Sequence, residues 1–525
     1  CCRKTNKVDA TDASAYRRHL KMLPFARLWI WISVFASLSG WTLSALGQLN
    51  RVGYAISFAA FIGFLAWRRQ DWPLNISRIK WRRFHRPLPL CFAALAVLIF
   101  LGGVLYPPSN YTGLTYRVGR ALQWLSHGHW FWIHTMDFRM NDRACGGEWL
   151  YALLLLFTKS THGLFLLNFL PFLLLPGLIF NVFTQLGVRA RVAWQWMWLL
   201  PTGYTFLLQA GGIANDTFPT VYALAALAFG LRAWKTRRPS DLWHSLLAIA
   251  LLTGAKASNL PLLLPWAILI FPLLPLLRRK PALTLLVVVL AAVVSFLPTA
   301  ILNIHYLGDW SGLSIEDTGM DMKNPVVGIW GNAFLLLLNN FVPPLFPFAG
   351  WWNGHALSLL PHFLTAPMLA NFESGFLWLG ELPTEDWSGI GFGISVLLAA
   401  SVAAAFFTNR HQSSPVENSS AIPRAYLRLV VIAPWIALLA YTMKSGMVTP
   451  GRLIAPYYPL LLPALLAGTS QSQIIRRIWW RALVGVNLIL ALIVLVLLPD
   501  RPLWPAKTIL SKLAAQHPNQ HLIAR

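Results

Sequence analysis

The polar residues of this chain gather in a few short stretches, and the densest is HGHWFWIHTMDFRMNDRACGGEW (127–149). It brings His127, His129, His134, Asp137, Arg139, Asp142, Arg143 and Glu148 into one segment. Carboxylates beside imidazoles and guanidiniums are the side chains of acid–base chemistry and of phosphate binding. His134 and Asp137 stand three apart, and Asp142 and Glu148 six apart, and neither spacing is a metal motif. A divalent metal is left open as a cofactor, with no ligand set defined. The plain alternative is a solvated loop with local ion pairs.

Just upstream, Leu114, Val118, Ala121, Leu122 and Leu125 recur at intervals of three and four, one face of a helix. Arg117 and Arg120 fall on another face, with Trp124 beside them. A helix of this kind lies flat at a membrane interface. Its arginines suit phosphate because guanidinium donors form a planar fork. Three more ionisable residues stand at the ends of apolar runs. Asp216 in GGIANDTF opens one such run, where Asn215 or Asp216 would suit a helix cap. Lys256 lies in LLTGAKASNLPLLLP and Arg452 in TPGRLIAPYYPLLLP. A charge at such a junction is costly unless it is paired or wet. Snorkelling is the plain reading of the lysine, and a phosphate clamp the functional one.

The elements that must position these residues follow from composition. Of 525 residues, 56% are hydrophobic and only 12% charged, with a mean hydropathy of +0.55. A soluble domain carries about 25% charged residues. Disorder, a coiled coil and an ordinary soluble multidomain enzyme are therefore excluded. The formal charge of +25 would suggest nucleic acid on a soluble protein. Here the basic residues form short clusters between apolar runs, the pattern of cytoplasmic loops, so nucleic acid is not an expected partner. Cys1, Cys2, Cys91 and Cys145 form no CxxC pair and imply no disulfide framework.

A spanning helix needs about 20 apolar residues. Such runs lie near 27–48, 52–67, 88–106, 163–186, 192–210, 217–234, 242–256, 259–277, 281–304, 387–407, 427–443, 453–469 and 481–498. The expected fold is an all-α polytopic membrane protein of about 13 transmembrane helices. Basic clusters follow every second span: Arg68 to Arg86, Arg189 with Arg191, Arg232 to Arg238, Arg278 to Lys280, Arg410 to Arg428, and Arg476 to Arg481. With the basic tail 1–26 they set the amino terminus in the cytoplasm. Only Asp9, Asp12, Asp71, Asp241 and Glu417 then share that side, so polar chemistry is expected outside. Two large outer loops result, 107–162 and 305–386. The second contains apolar stretches (334–348 and 355–370) that suit re-entrant, interfacial or paired spanning segments. The linker 411–423 is cytoplasmic, and 471–525 forms the last span and an outer tail.

Taken together, these residues resemble the membrane glycosyltransferases of the GT-C fold. Relatives in that family include protein O-mannosyltransferases and the transferases that add aminoarabinose to lipid A. The resemblance is to their bacterial, dolichyl-phosphate-mannose-type branch. It rests on SNYTGLTYRVGRALQWL (109–125), IANDTF (213–218), LLTGAKASNLPLLLP and GRLIAPYYPLLLP, in that order, and covers about 88–470. It implies that 88–106 is the first core helix and 27–67 an added hairpin. It also implies transfer of a sugar from a polyprenyl-phosphate donor to a lipid, polysaccharide or protein acceptor, at the outer face of a bacterial inner membrane. The family has an acidic residue early in the first loop. This chain has Asn110-Tyr111-Thr112-Gly113-Leu114 there, with no carboxylate. Either Asp137, Asp142 or Glu148 supplies one, or the protein is inactive or altered in its acceptor.

In such a transferase one carboxylate deprotonates the acceptor hydroxyl and cations hold the departing lipid phosphate. Asp137 or Asp142 is the expected base, with Glu148 as a further carboxylate and Asp216 as orienter. Arg117, Arg120, Arg139, Arg143, Lys256 and Arg452 are the expected phosphate binders, and His134 and Tyr457 the expected sugar or acceptor contacts. A lipid-linked saccharide flippase would need the same cations, but also ionisable groups near the midplane. A non-catalytic relative is the third possibility.

Overall fold

The computed structural model describes residues 22–67, 82, 84–312, 322–409 and 422–516. Most of the tail 1–26, the basic loop 68–87, the linker 411–423 and the end of the tail 499–525 lie outside the described residues. All regular structure among the described residues is helical.

Each of the thirteen apolar runs coincides with helix, but they are not thirteen equivalent rods. Among the described residues, six helices are long and apolar enough to cross a membrane by themselves: Leu23–Ala45, Pro87–Leu105, Leu166–Gln185, Ala257–Arg279, Arg424–Thr442 and Ile478–Leu497. A further pair, Pro281–Val294 and Leu297–Leu307, bends by 51° at its junction. Proline accounts for much of the irregularity, because it removes a backbone donor and clashes with the preceding turn. The run 192–210 breaks into Ala190–Leu199, a tight turn through Pro201, and Tyr204–Ala210. Within Ala257–Arg279, both ends wind as 3-10 helix around Pro261 and Pro275. The loop 305–386 carries Pro325–Phe341, Ala349–Leu359 and His362–Leu369.

Pro219–Thr236 forms the middle of the molecule. Nearly every residue on it is buried, on all faces. It packs against Leu23–Ala45, Leu166–Gln185, Pro239–Ala255 and Leu263–Ile270. Its sequence is rich in alanine, so neighbouring backbones approach closely, as small residues permit in membrane bundles. The outermost helices do the reverse: Val52, Ile56, Val97, Leu101, Leu285, Leu286 and Ile489 are exposed. An apolar exterior of that extent suits lipid, not water. The chain is a helical, integral membrane protein.

The two ends of the bundle differ. At one end Arg232 pairs with Asp241 at 3.4 Å, Arg189 donates to Ser472 Oγ at 2.9 Å, and Arg279 donates to the Arg237 carbonyl at 3.3 Å. The other end of Pro219–Thr236 holds Asp216.

Candidate functional site

The turn 211–218 leads into the central helix, and four neighbours fix it. Asn168 Nδ2 donates to the carbonyls of Gly212 (2.9 Å) and Ala214 (2.7 Å), and Tyr151 Oη donates to that of Ile213 (2.8 Å). Asn215 Nδ2 donates to the Ala255 carbonyl at 3.1 Å, tying this turn to the one that carries Lys256. Asn215 and Asp216 therefore do not cap the helix; its first residue follows Phe218, with no side-chain cap. The Gln209 side chain binds the turn twice. Its Oε1 accepts the N–H groups of Asp216 and Thr217, and its Nε2 donates to Asp216 Oδ2 at 3.0 Å.

Asp216 is buried and faces two cations. Lys256 Nζ donates to its Oδ1, and Arg452 Nη1 lies 3.4 Å from its Oδ2. Burial by itself would raise this carboxyl, but Lys256 and Arg452 outweigh burial and hold it at about 2. Arg452 then bridges to a carboxylate from the second large loop: Nη1 donates to Asp386 Oδ1 at 2.9 Å. Its Nε donates to Thr449 Oγ1 at 3.1 Å. Asp386 in turn accepts from Asn110 Nδ2 at 3.0 Å and from the Tyr111 N–H at 3.3 Å. Asn110 Oδ1 accepts the Gly113 N–H at 2.8 Å, just where a π turn, Gly113–Arg117, leads into helix Val118–His127. A carboxylate thus sits at the stretch 110–114, but it comes from residue 386.

Beside Asp386, Glu385 is buried and paired with Arg501, which also donates to the Leu208 carbonyl. Burial pushes the Glu385 carboxyl up to about 7, against the pull of Arg501. The segment carrying both acids is pinned elsewhere by its backbone. Gly389 and Ile390 accept from Thr205 and Tyr204, and the Ile390 N–H donates to Asn340 Oδ1 at 2.7 Å.

Four of the six expected phosphate binders fall into two groups. Lys256 and Arg452 lie in the Asp216 centre. Arg117 and Arg120 are buried and engaged elsewhere: Glu148 forms an ion pair with Arg120 at 2.6 Å and accepts from Arg117 at 3.3 Å. Arg120 also donates to the carbonyls of Arg143 (2.9 Å) and Ala144 (2.7 Å), and Arg117 to Tyr116 Oη (2.6 Å). This is how helix Val118–His127 is held to 139–145 and to helix Gly146–Thr158. Arg117 nonetheless lies within electrostatic range of Asp216 and adds positive potential there.

The remaining expected residues stand apart. Asp137 is bound by Arg139 in a two-pronged pair at 2.8 and 3.0 Å, on a partly exposed part of the loop. Burial raises its carboxyl, but Arg139 more than compensates and lowers it overall. Asp142 is buried; its carbonyl accepts from Asn303 at 3.0 Å, and its carboxylate lies 3.7 Å from Arg143. His134 is exposed. Tyr457 is buried, ring to ring with Tyr441 at 5.8 Å. Among the described residues no group of three or more His, Cys, Asp or Glu side chains is placed to hold a metal ion, and no residue is assigned that role.

Asp386, Asn110, Gln209, Glu385 and Arg501 belong to the centre, although none of them was expected to carry chemistry. The available signal was the adjacent acid pair in PTEDWSG, in a chain so poor in charge. The arrangement can hold an anion against Lys256 and Arg452 and present a carboxylate beside it. Comparison with known proteins finds no matching family model, no similar curated protein and no similar solved structure.

Proposed function

We propose that this chain is a membrane glycosyltransferase of GT-C type. It would move a sugar from a polyprenyl-phosphate donor to an acceptor hydroxyl of a cell-envelope molecule, at the outer face of a bacterial plasma membrane. The observation that carries the proposal is the Asp216–Lys256–Arg452–Asp386 centre at the end of apolar helices. Its Lys256 and Asp386 side chains keep 20% and 22% exposure, so a ligand reaches both. A lipid phosphate has its tail in the bilayer and its charge at the surface, where these cations stand.

In this reading Lys256 and Arg452 hold the phosphate, and Asp216 holds the two cations in place. Phosphate competes with Asp386 for Arg452 and so releases the carboxylate as the donor docks. Asp386 then takes the acceptor proton while the acceptor oxygen attacks the anomeric carbon. The bond from that carbon to the phosphate oxygen breaks, and the added negative charge of the departing polyprenyl phosphate stays against Lys256 and Arg452. Asp386 is preferred to Asp137 and Asp142 as base because it touches Asn110 and Arg452 together. Arg117 acts at longer range, while Arg120 and Glu148 hold the first loop together.

The test is a transfer assay on Asp386→Asn and Asp216→Asn beside Asp137→Ala and Asp142→Ala. Loss of turnover in the first two alone supports the assignment. Full activity in Asp386→Asn removes it. Tight donor binding with no transfer to any acceptor would favour a flippase or a non-catalytic relative.

A further inference from the structure

We infer that the recess between Trp378 and Trp387 is a pyranose subsite that holds the sugar ring of the lipid-linked donor. Tyr204, Asn339, Trp378, Trp387, Ser388 and Thr449 line it, and its volume is about 440 Å³ including the open mouth. Much of that space is open to solvent, so the recess is a shallow platform for a sugar ring to lie against, not an enclosed pocket. One covalent neighbour and one hydrogen bond connect it to the proposed reaction centre. Trp387 follows Asp386 in the chain, and Thr449 is the residue whose hydroxyl accepts from Arg452 Nε. A sugar joined to a phosphate on Arg452 therefore has this recess within reach.

The lining chemistry is that of a carbohydrate site. A pyranose has apolar C–H faces and a rim of hydroxyls. Trp378 offers an exposed ring (56%), and Trp387 a half-buried one. Indoles supply broad apolar contact at low conformational cost. Asn339 and Thr449 supply polar groups for the rim. Ser388 is the independent pointer to a ligand. It is 6% exposed, and its Oγ has no hydrogen-bond partner. A buried hydroxyl left unpaired is costly and uncommon in native proteins. A sugar hydroxyl in the recess would satisfy it. The wall is also rigid, since the backbone of 389–390 is bonded to Tyr204, Thr205 and Asn340.

The inference rests on the reading of Lys256 and Arg452 as the phosphate site, and the experiment separates the two. Affinity for undecaprenyl phosphate, and for undecaprenyl phosphate carrying glucose, mannose, galactose or aminoarabinose, is measured on purified protein in nanodiscs. The variants are Trp378→Ala, Trp387→Ala and Ser388→Ala, each with its melting temperature. At least one glycosylated lipid is expected to bind about tenfold more tightly than the bare lipid phosphate. That increment should shrink to about twofold or less in the tryptophan variants, with the affinity for bare lipid phosphate unchanged. An increment that survives in Trp378→Ala and Trp387→Ala overturns the subsite alone, as does the absence of an increment for every sugar. Trp378 is exposed, so its variant keeps the test decisive if Trp387→Ala does not fold. Failure of bare undecaprenyl phosphate to bind the wild type overturns the phosphate reading, and the subsite with it.

Discussion

Asp386 and Glu148 are both acids bound to arginine, and burial separates their roles. Glu148 is fully buried between Arg117 and Arg120, so removing it strands two buried guanidiniums. Glu148→Ala should cost about 3–5 kcal/mol of stability, the usual penalty for breaking a buried pair, and thermal unfolding measures it. Asp137 shares a pair with Arg139 whose members are about one-third exposed. Asp137→Ala should cost no more than about 1 kcal/mol. Asp386→Asn removes no buried charge, but it should lower turnover by about 10²–10⁴, the range for losing a general base, while binding of lipid phosphate persists. Asp216, Lys256 and Arg452 were legible in the sequence as charges at the ends of apolar runs. Their partner Asp386 was not, because it meets Asn110 across 276 positions of chain, and no local spacing encodes such a contact.

Turns, rather than the helices between them, assemble the centre. The last turn of helix Pro239–Ala255, just before Lys256, runs through Gly254, where a Cβ would collide with the Val294 carbonyl oxygen. A Cβ on Gly146, which opens helix Gly146–Thr158, would lie 2.7 Å from the Gly254 carbonyl oxygen. Gly254→Ala should therefore overpack the Val294–Ser295 backbone and cost about 1–3 kcal/mol, visible as a lower melting temperature and a loss of donor binding. The segment with Glu385 and Asp386 hangs on Arg501. Burial raises Glu385 from 4.5 to about 7, so the protonated form favours the folded state. That contribution is complete below 4.5 and is lost as the pH rises through about 7. Wild-type melting temperature should fall between pH 5 and 8, and Glu385→Gln should flatten that slope. A slope unchanged by Glu385→Gln would contradict the assignment. The amphipathic pattern at 114–125 correctly foretold a helix. Its arginines were read as facing a ligand, whereas Arg120 turns inward to Glu148, a choice set by tertiary contacts.

Across the molecule, hydrophobic runs made the helical membrane body legible, because each run must satisfy its own backbone in lipid. The count of spans was less legible. Proline at 201, 261, 275 and 298 breaks or bends runs that composition alone makes continuous. The alternation of basic clusters agrees with one end holding Arg189, Arg232 and Arg279 and the other holding Asp216. If the Asp216 end faces outward, Ser126→Cys should react with a membrane-impermeant maleimide in intact cells. Arg237→Cys should react only after lysis, the native cysteines being replaced in both. The reverse pattern would turn the molecule over and exclude an outer-face reaction.

The proposed chemistry meets its most direct test in turnover of radiolabelled undecaprenyl-phosphate hexose, by purified protein in nanodiscs supplied with crude envelope acceptor. Release of undecaprenyl phosphate by the wild type, lost in Asp386→Asn while donor binding through Lys256 and Arg452 remains, is the expected result. Equal release by Asp386→Asn, or donor binding with no release by the wild type, would contradict it.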